Sequence, residues 1–241
     1  MTAKEFRTAF FHGVIDGEAF RDSGLALVRA LKKPSNLFAS DNLITFNKNL
    51  GFLDDEPLMT AWAAHAEQRH EKGILWRTAT LLWAARQALR RDGAFVECGC
   101  YQGTTARILL AAANIERPFF LYDLFEAPSR PLPAHGSDLH AFVQARFAEF
   151  PNVTITKGSV PESLSNAPDQ IAFLHIDMNN TQAELGALNT LFERVVPGGV
   201  VILDDYGWQL YHHQFLFERL WFEERGYSVL ELPTGQGLVI R

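Results

Sequence analysis

Cysteine is nearly absent from this chain: Cys98 and Cys100 are the only two among 241 residues. One residue separates them in AFVECGC, a strand-like run, so both side chains point the same way and a disulfide between them is disfavoured. Reduced, buried thiols are expected. Long apolar runs are also missing. No stretch approaches the roughly 18 to 20 residues that span a bilayer, and the N-terminus MTAKEFRTAFFHG lacks a basic-then-apolar signal pattern. The expectation is a cytoplasmic protein with no membrane partner. Basic clusters are scarce as well. The formal net charge is −6, and Arg90-Arg91 is a short pair beside an expected helix end, so the basic face that would meet a phosphate backbone is lacking and no nucleic-acid partner is expected. Internal repeats, low-complexity tracts and Ser/Pro/Gly linkers do not occur, which argues against a flexibly tethered second domain.

What remains is an ordinary globular composition, 47% hydrophobic and 21% charged, with little room for disorder. From Ala94 onward the pattern alternates. AFVECG, PFFLYD, VTITKG, IAFLHID and GVVILDD read as strands; TTARILLAAAN, SDLHAFVQARFAEF, TQAELGALNTLFERV and QFLFERLWFEERG read as helices between or after them. That alternation predicts an α/β fold with a Rossmann-like, doubly wound, mostly parallel sheet. YSVLEL and GLVIR close the chain as a hairpin, which makes the final strand antiparallel. Residues 1–92 read as an N-terminal helical cap of the same unit, with apolar residues at helical spacing in EPLMTAWAAHAEQRHEK and GILWRTATLLWAARQALRR. The stretch KKPSNLFASDNLITFNKNLGFLDD before them reads as irregular. Residues 93–241 read as the catalytic domain.

The chemistry-bearing residues cluster at expected strand ends. Glu97, Gly99, Tyr101 and Gly103 stand where the first strand turns into a helix, and glycines there let a ligand approach the backbone and an exposed helix N-terminus. The spacing is GxxxG, with Tyr101 where a GxGxxG fingerprint needs its second glycine, so a nicotinamide-dependent oxidoreductase loses its main support. Asp123 ends the second strand, where a carboxylate can accept both ribose hydroxyls of a nucleoside cofactor. Ser159, in KGSVPESL, is placed to border an adenine. Asp177 ends the fourth strand, and Asp204 and Asp205 end the fifth. Neighbouring strands of an open parallel sheet end side by side, so three carboxylates converge, and hard oxygen ligands suit Mg²⁺. His212 and His213 follow near a helix start, where adjacent side chains diverge, so at most one faces the site as a base. His175 alternates with Asp177 and is expected to lie within the sheet layers. Phe52, Trp62, Trp76 and Trp83 read as core before substrate entrance, and EAPSRPLPAHGSD has the length and position of a loop over the site.

With those residues in view, ECGCYQG, YDLFE, KGSVPESL, HIDMNN and PGGVVILDDYG together resemble the motifs of a class I S-adenosylmethionine-dependent methyltransferase. More closely, they are similar to the macrocin O-methyltransferase family of sugar O-methyltransferases of macrolide biosynthesis. The resemblance covers roughly residues 94 to 208 and implies S-adenosylmethionine at Glu97, Gly99, Tyr101, Gly103 and Asp123. It also implies Mg²⁺ at Asp177, Asp204 and Asp205 and a small-molecule hydroxyl acceptor. Met178, Asn179 and Asn180 depart from the family's usual second aspartate and aromatic residue. Asn180 also stands where related catechol methyltransferases place a lysine base. Two readings from other classes stay beside this one: the oxidoreductase, and a non-catalytic nucleoside-binding module that kept the fold. A homodimer interface on the helical segment is left open.

Overall fold

The computed structural model describes residues 4–8, 11, 13–30, 36–126, 132 and 135–241. The chain divides into two compact units, Met1–Ala79 and Thr80–Arg241. Among the described residues no helix is long and apolar enough to cross a membrane.

The first unit is not purely helical. Strands β1 (Glu5–Arg7), β2 (Leu37–Ser40) and β3 (Leu43–Phe46) form a small sheet in that order, beside helices α1 (Gly17–Ala30), α2 (Glu56–His65) and α3 (Arg69–Gly73). The stretch expected to be irregular therefore contains a hairpin. Its two-residue turn is Asp41-Asn42, both at positive φ (48° and 58°), a conformation that Asn and Asp tolerate and that matches the twist of paired strands. The buried Asp41 carboxylate is met at 2.8 Å by Arg77 Nε. Phe38, fully buried, gathers Phe6, Phe52 and Trp76 around itself at ring-centroid distances of 5.1–5.9 Å. Phe52, Trp62 and Trp76 thus join an aromatic core, whereas Trp83 is exposed. Helix α4 (Leu75–Ala88) runs across the division between the units.

The second unit is a seven-stranded sheet. Its strands are β4 (Ala94–Cys98), β5 (Phe119–Asp123), β6 (Val153–Lys157), β7 (Ile171–Ile176), β8 (Val195–Leu203), β9 (Leu230–Glu231) and β10 (Gly237–Ile240). The spatial order is β6-β5-β4-β7-β8-β10-β9, parallel through β8 and antiparallel at β10 and β9. The expected mostly parallel sheet with a reversed final strand is what forms. Between the strands lie α5 (Thr104–Ala113), α6 (Leu139–Arg146), α7 (Thr181–Leu191) and α8 (His212–Glu223). Every residue of β4 and β7 is buried, which explains why these strands read as unbroken apolar runs: helices cover both faces.

Side-chain alternation divides the central strands into two surfaces. Val96, Cys98, Leu174, Ile176, Val201 and Leu203 pack with Leu188, Leu191 and Phe192 and with Phe222 of α8. On the opposite surface Phe95 meets Phe119 and Phe173 at 5.6 and 5.4 Å between ring centroids. One step nearer the carboxyl edge the same surface carries Glu97 and His175, register partners on β4 and β7. Both cysteines are buried free thiols, and burial pushes each well above the ordinary thiol range.

Gly99 shows how tightly the strand ends are joined. It has φ 91°, and a Cβ there would stand 1.8 Å from the Asp177 carbonyl oxygen. Gly99→Ala is expected to destabilise the protein by about 2–4 kcal/mol through strain and collision together. A denaturant melt that left the midpoint unchanged would contradict this packing.

Candidate functional site at the carboxyl edge of the sheet

The parallel ladder continues past the strand ends, and this is what assembles the site. Asp177 N–H donates to the Cys98 carbonyl at 2.8 Å, and Asp204 N–H donates to the Ile176 carbonyl at 2.9 Å. Each aspartate is thereby tied to the end of the neighbouring strand. His175, Asp177 and Asp204 offer ligand atoms that all lie within 4.8 Å of one another, and among the described residues they form the one such group. Asp205, the third carboxylate of the sequence reading, stands outside it. The paired aspartates at the end of β8 therefore divide their roles: Asp204 is buried toward the sheet and Asp205 is half-buried.

Asp204 belongs to a row of polar side chains that the sequence reading did not assemble. Glu97 Oε1 lies 2.9 Å from His175 Nδ1, and His175 Nε2 lies 3.5 Å from Asp204 Oδ1. Gln236 Nε2 donates to that same Asp204 oxygen at 2.8 Å, and the Thr234 hydroxyl donates to Gln236 Oε1 at 3.0 Å. All five residues are buried. Burial disfavours a charged imidazole, but the hydrogen bonds and charges of Asp204 and Glu97 outweigh it and raise the His175 pKa to about 10. His175 is thus the counter-charge of the row, and Asp177 and Asp204 are the oxygen donors of the group. One or two carboxylates suffice for Mg²⁺, which keeps waters or substrate oxygens in its other positions, so the residues present fit such an ion. The signal in the sequence was the i, i+2 spacing of His175 and Asp177; the partners Glu97 on β4 and Gln236 just before β10 are distant in the chain, and their pairing left none.

The glycine loop is built for two close approaches, and both come from the protein itself. Asp177 fills the space over Gly99, and the Phe147 ring would stand 2.4 Å from a Cβ on Gly103, whose φ is 72°. Tyr101, between them, also has positive φ (45°). Its N–H donates to Asp123 Oδ2 and the Phe125 N–H to Asp123 Oδ1, both at 2.7 Å. Asp123 therefore locks the first loop to the end of β5. A carboxylate oxygen bonded to one amide retains a lone pair for a hydroxyl donor. Glu97 Oε2 is buried and has no hydrogen-bond partner, a polar orphan that a cationic ligand group would satisfy.

The remaining candidates are placed as follows. Ser159 is exposed and gives its hydroxyl to Glu162 at 2.9 Å. His212 and His213 diverge, as adjacent helix-start residues must: His212 stacks on Phe215, while His213 Nδ1 lies 3.4 Å from the Thr181 hydroxyl at the start of α7. His213 is therefore the histidine next to the segment that follows Asp177. Asn180 caps α7 by accepting from Ala183 N–H at 3.0 Å, a task for a short polar side chain that a lysine would not perform. The segment EAPSRPLPAHGSD lies largely outside the described residues.

The charge on His175 has a pH signature. Because its folded pKa is raised, its contribution to stability is complete below about pH 6.5 and is lost as pH climbs through about 10. Thermal melts in chelator across that window should show a falling wild-type stability whose slope is reduced in His175→Gln. Parallel curves for the two proteins would refute the assignment.

Residues 96–206 match a family model described as "Methyltransferase domain". No curated protein matches the chain by sequence. Among solved structures, the O-methyltransferase NovP superposes with a TM-score of 0.59 at 18% identity, over 75% of this chain and 88% of its own. CalS11, a TDP-rhamnose 3′-O-methyltransferase of calicheamicin biosynthesis, gives 0.58 at 14% identity, over 96% and 97%. The S-adenosylhomocysteine-bound methyltransferase PaMTH1 of Podospora anserina gives 0.54 at 14%, over 96% and 99%. At such identities the likeness is one of fold. The matched segment runs from β4 to just past β8, and the sheet that carries it has the Rossmann-like fold of these methyltransferases.

Proposed function

We propose that this protein is an S-adenosylmethionine-dependent O-methyltransferase that acts on a hydroxyl of a small molecule, with a divalent cation at its acceptor side. The observation that carries the proposal is the meeting of Asp177 and Asp204 at the carboxyl edge, one strand away from a glycine loop latched by Asp123. The macrocin-type motifs and the likeness to CalS11 favour a sugar hydroxyl as acceptor.

Bound S-adenosylmethionine supplies an electrophilic methyl group, and a cation held by Asp177 and Asp204 supplies Lewis acidity that lowers the pKa of the acceptor hydroxyl. The chain does the rest. Asp123 would hold the ribose hydroxyls with the lone pairs its amide bonds leave free, and Glu97 Oε2, buried without a partner, would accept from the cofactor's amino group. His213, beside the start of α7, would accept the proton that the acceptor hydroxyl gives up when it takes the methyl group. Alignment at roughly 3 to 3.5 Å between reacting atoms provides much of the rate.

Two measurements test this reading. S-adenosylhomocysteine at about a hundred times its dissociation constant should stabilise the protein by roughly 2.7 kcal/mol in a thermal-shift series, with NADH giving no comparable shift. Asp177→Asn should lower turnover of a glycosylated acceptor about a hundredfold while leaving S-adenosylhomocysteine affinity within a few-fold. Stabilisation by NADH alone, or undiminished turnover of Asp177→Asn in chelator, would refute the proposal.

A further inference from the structure

Glu184 lies in the first turn of α7, 1% exposed, and the chemistry above makes no use of it. Its Oε1 accepts from two consecutive backbone amides, Met178 N–H at 3.0 Å and Asn179 N–H at 2.9 Å. These are the two residues that follow Asp177. Asn179 is held there in the left-handed region, φ 54°, and Asn180 then caps α7. The chain leaving β7 thus reverses within three residues around one buried oxygen, which can serve two donors because it carries two lone pairs. From α8, the fully buried Glu218 faces Glu184. Burial, with the charge of Glu184, raises Glu218 well above the carboxylate range. A buried carboxylate is costly unless it accepts hydrogen bonds, and Glu184 accepts two.

We infer that Glu184 is a positioning residue: by binding the amides of Met178 and Asn179 it fixes the turn that aims the Asp177 carboxylate at Asp204, and so sets the affinity of the site for a divalent cation. This inference rests on the cation reading given above. The function of Glu184 is that of an acceptor, so glutamine, whose carbonyl oxygen can take the same two amides, should substitute for it. Alanine should not.

The test uses the full-length chain without cofactor, with Mn²⁺ as a paramagnetic probe and amide hydrogen exchange read at residues 178 and 179. Glu184→Ala is expected to lose protection at those two amides and to bind Mn²⁺ about tenfold or more weakly, with S-adenosylhomocysteine affinity unchanged; Glu184→Gln is expected to match the wild type in both. If Glu184→Ala does not fold, Glu184→Asp, one methylene short of the amides, carries the same expectation. Loss of protection with unchanged Mn²⁺ affinity would overturn the positioning role, and so would equal damage in the glutamine variant. A wild-type protein that binds no Mn²⁺ would instead overturn the cation reading itself, and the role of Glu184 with it.

Discussion

Two carboxylates buried on one surface of a sheet need a positive charge between them, and this requirement organises the second unit. Glu97 on β4 and Asp204 at the end of β8 are separated by β7, and His175 on β7 lies between them. The arrangement works only in the observed register, in which Glu97 pairs with His175 and His175 pairs with Ile202, two residues before Asp204. A slip of one residue on any of the three strands would turn one member of the row toward the apolar helices on the other surface. In that environment an unpaired charge costs several kcal/mol.

The reversed end of the sheet follows from the same need. Asp204 Oδ1 accepts from Gln236, and Gln236 sits at the entry to β10 because β10 runs antiparallel beside β8. The turn between β9 and β10 also holds the segment after Asp204 from outside: Gly207 N–H donates to the Gly235 carbonyl at 2.7 Å, and a Cβ on Gly237 would meet the Tyr206 ring at 2.8 Å. The closing hairpin is therefore part of the site's support as well as an edge of the sheet. Such outer partners fix the orientation of ligating carboxylates, and they are usually as necessary as the ligands.

The glycines of the loop serve close approaches within the protein itself. GxxxG at a strand-to-helix turn calls for close approach of something, and a ligand is the usual candidate. Here the Asp177 backbone and the Phe147 ring make the approach. The consequence is that the glycine loop and the acidic edge share a wall: Gly99 begins the first and borders the second. Two of the departures, Asn179 and Asn180, have a local explanation. Asn179 takes a left-handed backbone and Asn180 a helix cap, so local geometry accounts for residues that looked like changes in chemistry.

Periodicity by itself determined the alternating order of strands and helices from Ala94 onward and the closing hairpin, because each depends on interactions between residues close in sequence or on a face that must be covered. The strand-end positions of Asp123, Asp177 and Asp204 were legible for the same reason: a run of apolar residues ending in an acid marks where a buried strand reaches water. The hairpin at Asp41-Asn42 was also legible in principle, as a turn pair between two short strand-like runs, but the polar residues around it hid the alternation. Tertiary structure alone decided which acid does what. Asp204 and Asp205 are adjacent in sequence, yet one joins His175 and Gln236 while the other stands outside the cluster, and Glu184 reads as an ordinary helix acid until its oxygen is seen to hold the turn after Asp177. Those differences come from pairings across strands and helices distant in the chain, and a local pattern carries no record of the partner it will meet.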